Sequence, residues 1–173
     1  VIRPDQNLKV TMNIGNGWRP PGINEMYGYG LHHGAAAIEK GSPLLNKEVA
    51  HSVVVGTEMY YGKFSGGISV YSYLFSNYIY YLPDSFEVTD RGTFPVYSYT
   101  QSPALLSGAD LWAVYALTNF LDLKTKAAWV RGLNSQKGEP LLYMPADRYE
   151  FTCKLHHNTR RLDDIYIEPG LMY

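Results

Sequence analysis

The chain holds 173 residues with a net charge of −1, 18% charged residues, 16 Tyr, three Trp, six Phe and a single cysteine, Cys153. Charges of both signs are interspersed, which leaves no basic face for nucleic acid, and one cysteine excludes an internal disulfide and a multi-cysteine metal site. No stretch approaches the roughly twenty continuous apolar residues of a helical membrane span, while abundant Tyr suits either a membrane–water interface or an all-β core.

In chain order, the opening Val1-Ile2-Arg3-Pro4 carries no charged start, apolar segment or cleavage site, and reads as the beginning of an excised piece. From Asn7 to Ile14 the apolar Leu8, Val10, Met12 and Ile14 alternate with the polar Asn7, Lys9, Thr11 and Asn13. Such alternation places the two sets on opposite faces of a strand. Val49 to Tyr61, Phe64 to Tyr80, Phe94 to Asn119 and Leu121 to Arg131 are rich in β-branched and aromatic residues and read as further strands. Within Ala104 to Leu123 a helix competes, but Gly108 and the flanking strands favour a strand. Arg148 to Leu155 alternates as cleanly as the first segment, with Tyr149, Phe151, Cys153 and Leu155 opposite Arg148, Glu150, Thr152 and Lys154.

The connections are of two kinds. Gly62 to Lys63, Asn119 to Asp122 and His157 to Asp164 are short polar turns, whereas Gly15 to Lys47, Leu82 to Thr93 and Gly132 to Pro145 far exceed the usual four to six or so residues. Short and long alternate along the chain, as in an outer-membrane barrel with short turns at one rim and long loops at the other. The expected fold is therefore all-β, an antiparallel up-and-down meander forming a partial transmembrane β-barrel. A mean hydropathy of −0.22 is consistent with it, because alternation averages lipid-facing and lumen-facing residues. The rival fold is a soluble all-β carbohydrate-binding module with aromatic residues stacked on sugars.

Several side chains stand out. Arg19, Glu25 and Glu48 border the first long loop, and a guanidinium holding two carboxylates would tie that loop to the wall. Tyr71, Tyr73, Tyr78, Tyr80 and Tyr81 crowd toward a strand end and are expected in an interfacial girdle. Asp110, Asp122, Lys124 and Lys126 read as a lumen-facing charged set. Parity puts Asp110 with Trp112 and Val114, a conflict that a bulge near Gly108 would resolve. His32 and His33, near Glu25 and Glu39 in sequence, lack the spacing of a preorganised metal site. No metal site, cofactor or catalytic centre is expected, since no phosphate loop, serine elbow, HExxH or paired zinc ligands occur.

The segment Gly17-Trp-Arg-Pro-Pro-Gly-Ile-Asn-Glu-Met-Tyr27, then Gly28-Tyr-Gly-Leu-His-His-Gly34 and Gly41-Ser-Pro-Leu-Leu-Asn-Lys-Glu48, closely resembles TonB-dependent outer-membrane receptors. Leu74-Phe-Ser-Asn-Tyr-Ile-Tyr80, Tyr99-Thr-Gln-Ser-Pro-Ala-Leu-Leu-Ser-Gly-Ala-Asp110 and Leu142-Tyr-Met-Pro-Ala-Asp-Arg148 resemble successive stretches of the same barrel. The resemblance implies energy-coupled uptake of a small-molecule cargo: an iron chelate such as an iron–siderophore complex, a cobalamin-like molecule or a glycan. It also implies contact with outer-membrane lipid, and a partner, TonB, engaged through an amino-terminal region that this stretch lacks. Residues 1–173 then correspond to about seven strands of the barrel's carboxyl-terminal half, without plug or final strands, and would self-associate in isolation through open strand edges. Ligand contacts are expected in the long outer loops, at Tyr27, Tyr29, His32, His33 and Asp84 to Arg91.

Overall fold

Alternating residues give each strand two unlike faces, and the computed structural model, which describes residues 1–157 and 165–173, arranges the strands as one open sheet. The elements are β1 (Ile2–Asp5), β2 (Leu8–Arg19), α1 (Ile23–Tyr27), β3 (Tyr29–His32), β4 (Ala37–Lys40), β5 (Glu48–Tyr61), β6 (Phe64–Thr89), β7 (Gly92–Ala116), β8 (Leu121–Asn134), β9 (Glu139–Pro140), β10 (Arg148–His157), β11 (Ile165–Ile167) and β12 (Gly170–Met172). The wall runs β1-β2-β5-β6-β7-β8-β10-β11, each strand antiparallel to the next. It is the expected meander, and Ala104 to Ala116 is strand throughout. The short turn expected at His157 to Asp164 falls mostly on residues outside those described.

Register sorts the side chains. One row crosses six strands as Lys9, Glu58, Gly67, Trp112, Lys126 and Glu150. The adjacent row reads Val10, Thr57, Ile68, Leu111, Ala127 and Tyr149, and paired positions share a face. The first row belongs to a polar face carrying the ion pairs Lys9–Glu58 and Lys126–Glu150, both at 3.0 Å. The second belongs to an apolar face that is left open: Ile14 is 75% exposed and Val70 51%. Exposed aliphatic residues over a whole face are what lipid, not water, stabilises. Among the described residues no second sheet covers either face, which sets aside the soluble sandwich.

Asp110, Asp122, Lys124 and Lys126 all fall on the polar face, and the bulge expected near Gly108 does not occur: pairing is continuous from Phe75–Ala104 to Phe64–Tyr115. Trp112 and Val114 share that face with Asp110, so a mixed polar and aromatic lumen removes the conflict. Gly108 serves another purpose. The ring of its cross-strand partner Tyr71 lies over it, and a Cβ there would come within 2.4 Å of the Tyr71 hydroxyl.

A bulge occurs instead at Ser76 and Asn77, where Phe75 pairs Ala104 but Tyr78 pairs Ser102 and Asn77 takes φ 103°. It moves even-numbered residues onto the face that odd-numbered ones held below. Tyr71, Tyr73, Phe75, Tyr78 and Tyr80 consequently form one column of rings, with centroids 5.0–6.4 Å apart. This corrects the expectation of a girdle, since the column runs along the strand and begins on the polar face. Other aromatic residues occupy the apolar face: Tyr61, Phe64 and Tyr115 beside the short turns, Phe151 in β10, and Trp18 with the Trp129–Tyr149 pair toward the opposite strand ends.

Phe64 to Leu74, about eleven residues at ~3.3 Å each and tilted by ~40°, spans roughly 27 Å of height, close to the ~25 Å apolar band of such walls. Everything in β6 and β7 above the bulge projects beyond it. Leu82 to Thr93 was expected to be a loop; instead β6 and β7 continue as a ladder to a tight turn at Asp90 and Arg91. The stretch alternates Phe86 and Val88 with Glu87 and Thr89, and Gly92 at φ 125° lets the chain reverse. Similarly, β2 continues through Gly15 and Trp18 to Arg19, and β8 through Gly132 to Asn134.

In the full-length barrel, Val70→Arg places a charge in lipid and is expected to destabilise by about 2–4 kcal/mol, whereas Asp110→Asn on the polar face is close to neutral. Heating samples in detergent and following the folded-to-unfolded gel shift measures both; equal midpoints for the two variants would contradict the assignment of faces.

Candidate functional site

The buried apolar side chains lie at the loop-bearing rim. Ala37 and Ile38 of β4, Leu45, Ile79, Val96 and Leu141 are each at most 8% exposed. They are buried because the first long connection folds back as a hairpin, β3–β4, and β4 adds in parallel to β7 through Ile38–Val96, Glu39–Tyr97 and Lys40–Ser98. The Tyr29 hydroxyl donates to the Glu87 carboxylate at 2.8 Å, fastening the hairpin to the projecting part of β6.

A charged clamp sits where this connection leaves and rejoins the wall. Arg19, the last residue of β2, pairs in register with Glu48, the first of β5. Its Nη1 and Nη2 donate to the two oxygens of Glu25 at 2.8 and 3.1 Å, and its Nε donates to Glu48 at 3.2 Å. Glu25 also accepts the Gly22 N–H at 2.6 Å, which fixes the start of α1. Glu48 in turn accepts the N–H of Ile79 at 2.9 Å, and Asn77 donates to the Lys47 carbonyl at 3.2 Å. One guanidinium thus links the strand ends, α1 and the β6 bulge. The Glu25 carboxyl is held below its ordinary value, chiefly by Arg19 and further by the Gly22 N–H, with burial opposing.

Beside the clamp lies a cavity of about 510 Å³, within the range of small-molecule sites. Tyr78 and Tyr80, from the top of the ring column, line it together with Tyr81, Tyr99, Tyr143 and Met144; Glu25 contributes the charged group of the lining. Tyr143, from the connection before β10, stacks on Tyr81 at 5.2 Å with ring planes 18° apart, and Tyr99 lies 5.7 Å from Tyr81. Tyr80 is held by hydrogen bonds with Asn134 at 3.0 Å and Ser102 at 3.4 Å. A smaller hollow of about 350 Å³ lies on the polar wall between Asp110, Trp112, Lys126, Arg148 and Glu150.

The six residues expected to contact ligand lie outside the cavity. Tyr27 is exposed at the end of α1, and Tyr29 is engaged with Glu87. His32 and His33 are exposed at the β3–β4 turn, and among the described residues no three His, Cys, Asp or Glu side chains converge as metal ligands. Asp84 sits in a second irregularity of β6 and accepts a hydrogen bond from Ser98 at 2.8 Å, while Arg91 occupies the distal turn of β6–β7. The cavity residues were not singled out as ligand contacts from sequence. The available signal was the density of Tyr at 78–81 and 97–99 together with Tyr143-Met-Pro145 in the last long connection.

A single-layer antiparallel wall, lipid-facing on one side and ionic on the other, with folded connections at one rim, defines a segment of a large outer-membrane β-barrel. A family model described as TonB dependent receptor-like, beta-barrel matches residues 1–158, and the chain belongs to that family. This is a family of transport receptors located in the bacterial outer membrane. The copper transporter OprC matches with a TM-score of 0.70 and 18% identity over 87% of this chain and 22% of its own. The ferric enterobactin receptor PfeA of Pseudomonas aeruginosa matches with a TM-score of 0.66 and 14% identity over 98% and 26%. The siderophore receptor PirA of the same organism matches at 0.65 and 13% over 97% and 31%. At these identities the likeness establishes the fold, and the chain spans about a quarter of the structures it matches. No curated protein sequence matches it.

Two outcomes follow for the clamp. Arg19→Ala leaves Glu48 without its cation and should cost about 1–3 kcal/mol locally, seen as faster amide exchange in residues 20–47 with the wall unchanged. Because the folded-state pKa of Glu25 is depressed, its contribution is complete above the ordinary value near 4.5 and is lost as pH falls below it. Pepsin should spare the 20–47 segment at pH 4.5 and cut it at pH 2.5, whereas Glu25→Gln is cut at both; identical digestion of the two proteins would exclude this linkage.

Proposed function

We propose that the full-length receptor imports a scarce small molecule across the outer membrane, drawing energy through TonB and an amino-terminal plug. Residues 1–173 would then be a section of the barrel's carboxyl-terminal half, and in isolation they would self-associate through open strand edges. An iron–siderophore complex is the leading cargo, with a cobalamin-like molecule or a glycan as alternatives. The iron and copper transport named for structurally similar proteins is compatible with this reading. The observation that carries it is the 510 Å³ cavity at the loop-bearing rim, whose lining reaches Leu106 and Val130 on the polar face. Its rings offer broad contact at low entropic cost, and the polar wall beneath offers charges to a hydrated cargo. Tyr27, Tyr29, His32, His33, Asp84 and Arg91 form an outer surface of first encounter around that cavity.

The test uses the full-length receptor in cells lacking other receptors, with labelled ferric chelates and a labelled corrinoid as probes. Uptake should require TonB. Replacing Tyr81 and Tyr143 together with Ala removes two aromatic contacts of ~0.5–1.5 kcal/mol each and should weaken apparent affinity about tenfold at unchanged receptor abundance. Uptake that persists without TonB would refute the coupling; unchanged affinity would refute the assignment of the cavity.

A further inference from the structure

The cavity has a distinctive charge balance. Among the described residues its lining is tyrosine, aliphatic side chains and Met144, without Lys or Arg, and the carboxylate of Glu25 is the charged lining group. The guanidinium bonded to Glu25, that of Arg19, is shared between Glu25 and Glu48. Glu39 is placed opposite Tyr97, next to the same aromatic group. Tyr99 and Tyr143 remain neutral donors at physiological pH: the Tyr99 hydroxyl is pushed up by burial and then by Glu39 and Glu25, and that of Tyr143 to about 12, chiefly by its hydrogen bond with Tyr97. Ring faces are the negative side of an aromatic quadrupole, so the walls attract cations and the weakly positive C–H faces of neutral molecules.

We infer that this cavity selects uncharged or cationic cargo carrying an apolar face, and disfavours anionic chelates. Sites for anionic groups recognise them with Arg, whose paired donors match carboxylate oxygens, and with Lys as a point charge. Here an anion would meet Glu25 and the negative ring faces, with no Lys or Arg among the described lining residues to answer it, and like-charge juxtaposition opposes binding. The inference rests on the uptake function proposed above and narrows its cargo class. The shared chemistry has two sources, a neutral or cationic metal chelate and a neutral glycan.

The experiment uses purified full-length receptor and four probes: an uncharged ferric trihydroxamate, a monocationic ferric trihydroxamate with a free ammonium group, a trianionic ferric tris-catecholate, and a neutral oligosaccharide. Quenching of intrinsic fluorescence reads the iron probes and calorimetry the oligosaccharide. At least one uncharged or cationic probe should bind at least about tenfold more tightly than the trianionic one, and which of them binds identifies the source. Leu142, half-exposed in the lining, provides the charge test. Leu142→Lys should weaken the cationic probe about tenfold relative to Leu142→Gln, which removes the same apolar contact without adding charge. A trianionic probe that binds as tightly as the others overturns the inference, as do Lys and Gln variants that behave alike or a failure of all uncharged and cationic probes to bind. Uptake measured in parallel without TonB separates the two ideas: TonB-independent uptake with the same order of affinities removes the transport mechanism and leaves the cavity's selectivity standing.

Discussion

A wall one sheet thick has no interior in which to hide a polar group. Within hydrocarbon each N–H and C=O must be met by the neighbouring strand, because an unpaired one costs several kcal/mol there. Register is therefore the constraint on which the rest depends. The continuous pairing of β2, β5, β6, β7, β8 and β10 satisfies the backbone, and in doing so decides which side chain faces lipid and which faces the lumen. Since a slip of one residue turns every side chain over, the apolar face and the ionic rows hold the register in place together.

The bulge at Ser76 and Asn77 is a slip of that kind used locally, at the level where lipid ends. It costs the ladder one regular step, and beyond the end of the β5–β6 pairing Glu48 accepts the Ile79 N–H. Glu48 is held by Arg19, and Arg19 by Glu25 at the start of α1. The loop anchor, the bulge and the floor of the cavity thus form one bonded unit. Tyr78 and Tyr80 enter the ring column because the bulge shifts parity, and the bulge is stabilised by the same carboxylate that closes the loop.

The parts of this fold that the membrane governs were legible in the sequence. Leu8 to Ile14 and Arg148 to Leu155 alternate because one side must suit lipid and the other water, and Arg19, Glu25 and Glu48 stand at the loop borders where a charged fork fits. Above the bulge the same logic fails. Residues 82–93 meet water on both sides, so Asp84, Glu87, Asp90 and Arg91 look like loop residues even though they continue or close a strand ladder. The rule that ligand contacts reside in irregular loops then pointed to those residues and to His32 and His33. Those residues lie outside the cavity, which draws on Tyr78 to Tyr81, Tyr99 and Tyr143, brought together by a parity shift and the fold of a distant connection. Neither event has a signature in local composition.

The location of buried apolar side chains completes the physical picture. A barrel wall needs no protein core, since lipid covers one face, yet Ile38, Ile79, Val96 and Leu141 are buried where the connections fold over the projecting strands. Binding that must order loose loops loses affinity to that ordering, whereas a rim with its own small core, a parallel strand pair and a charged clamp is ordered beforehand. Preorganisation also explains the tall β6–β7 hairpin. It supplies the free strand edge to which β4 hydrogen-bonds, converting a loop of about thirty residues into an extension of the wall. The ring column then runs unbroken from that ordered rim down to Tyr71, whose cross-strand neighbour Gly108 leaves it room. Just below, the lining changes to Asp110, Lys126 and Glu150, so the same strands present aromatic contact above and ionic contact beneath.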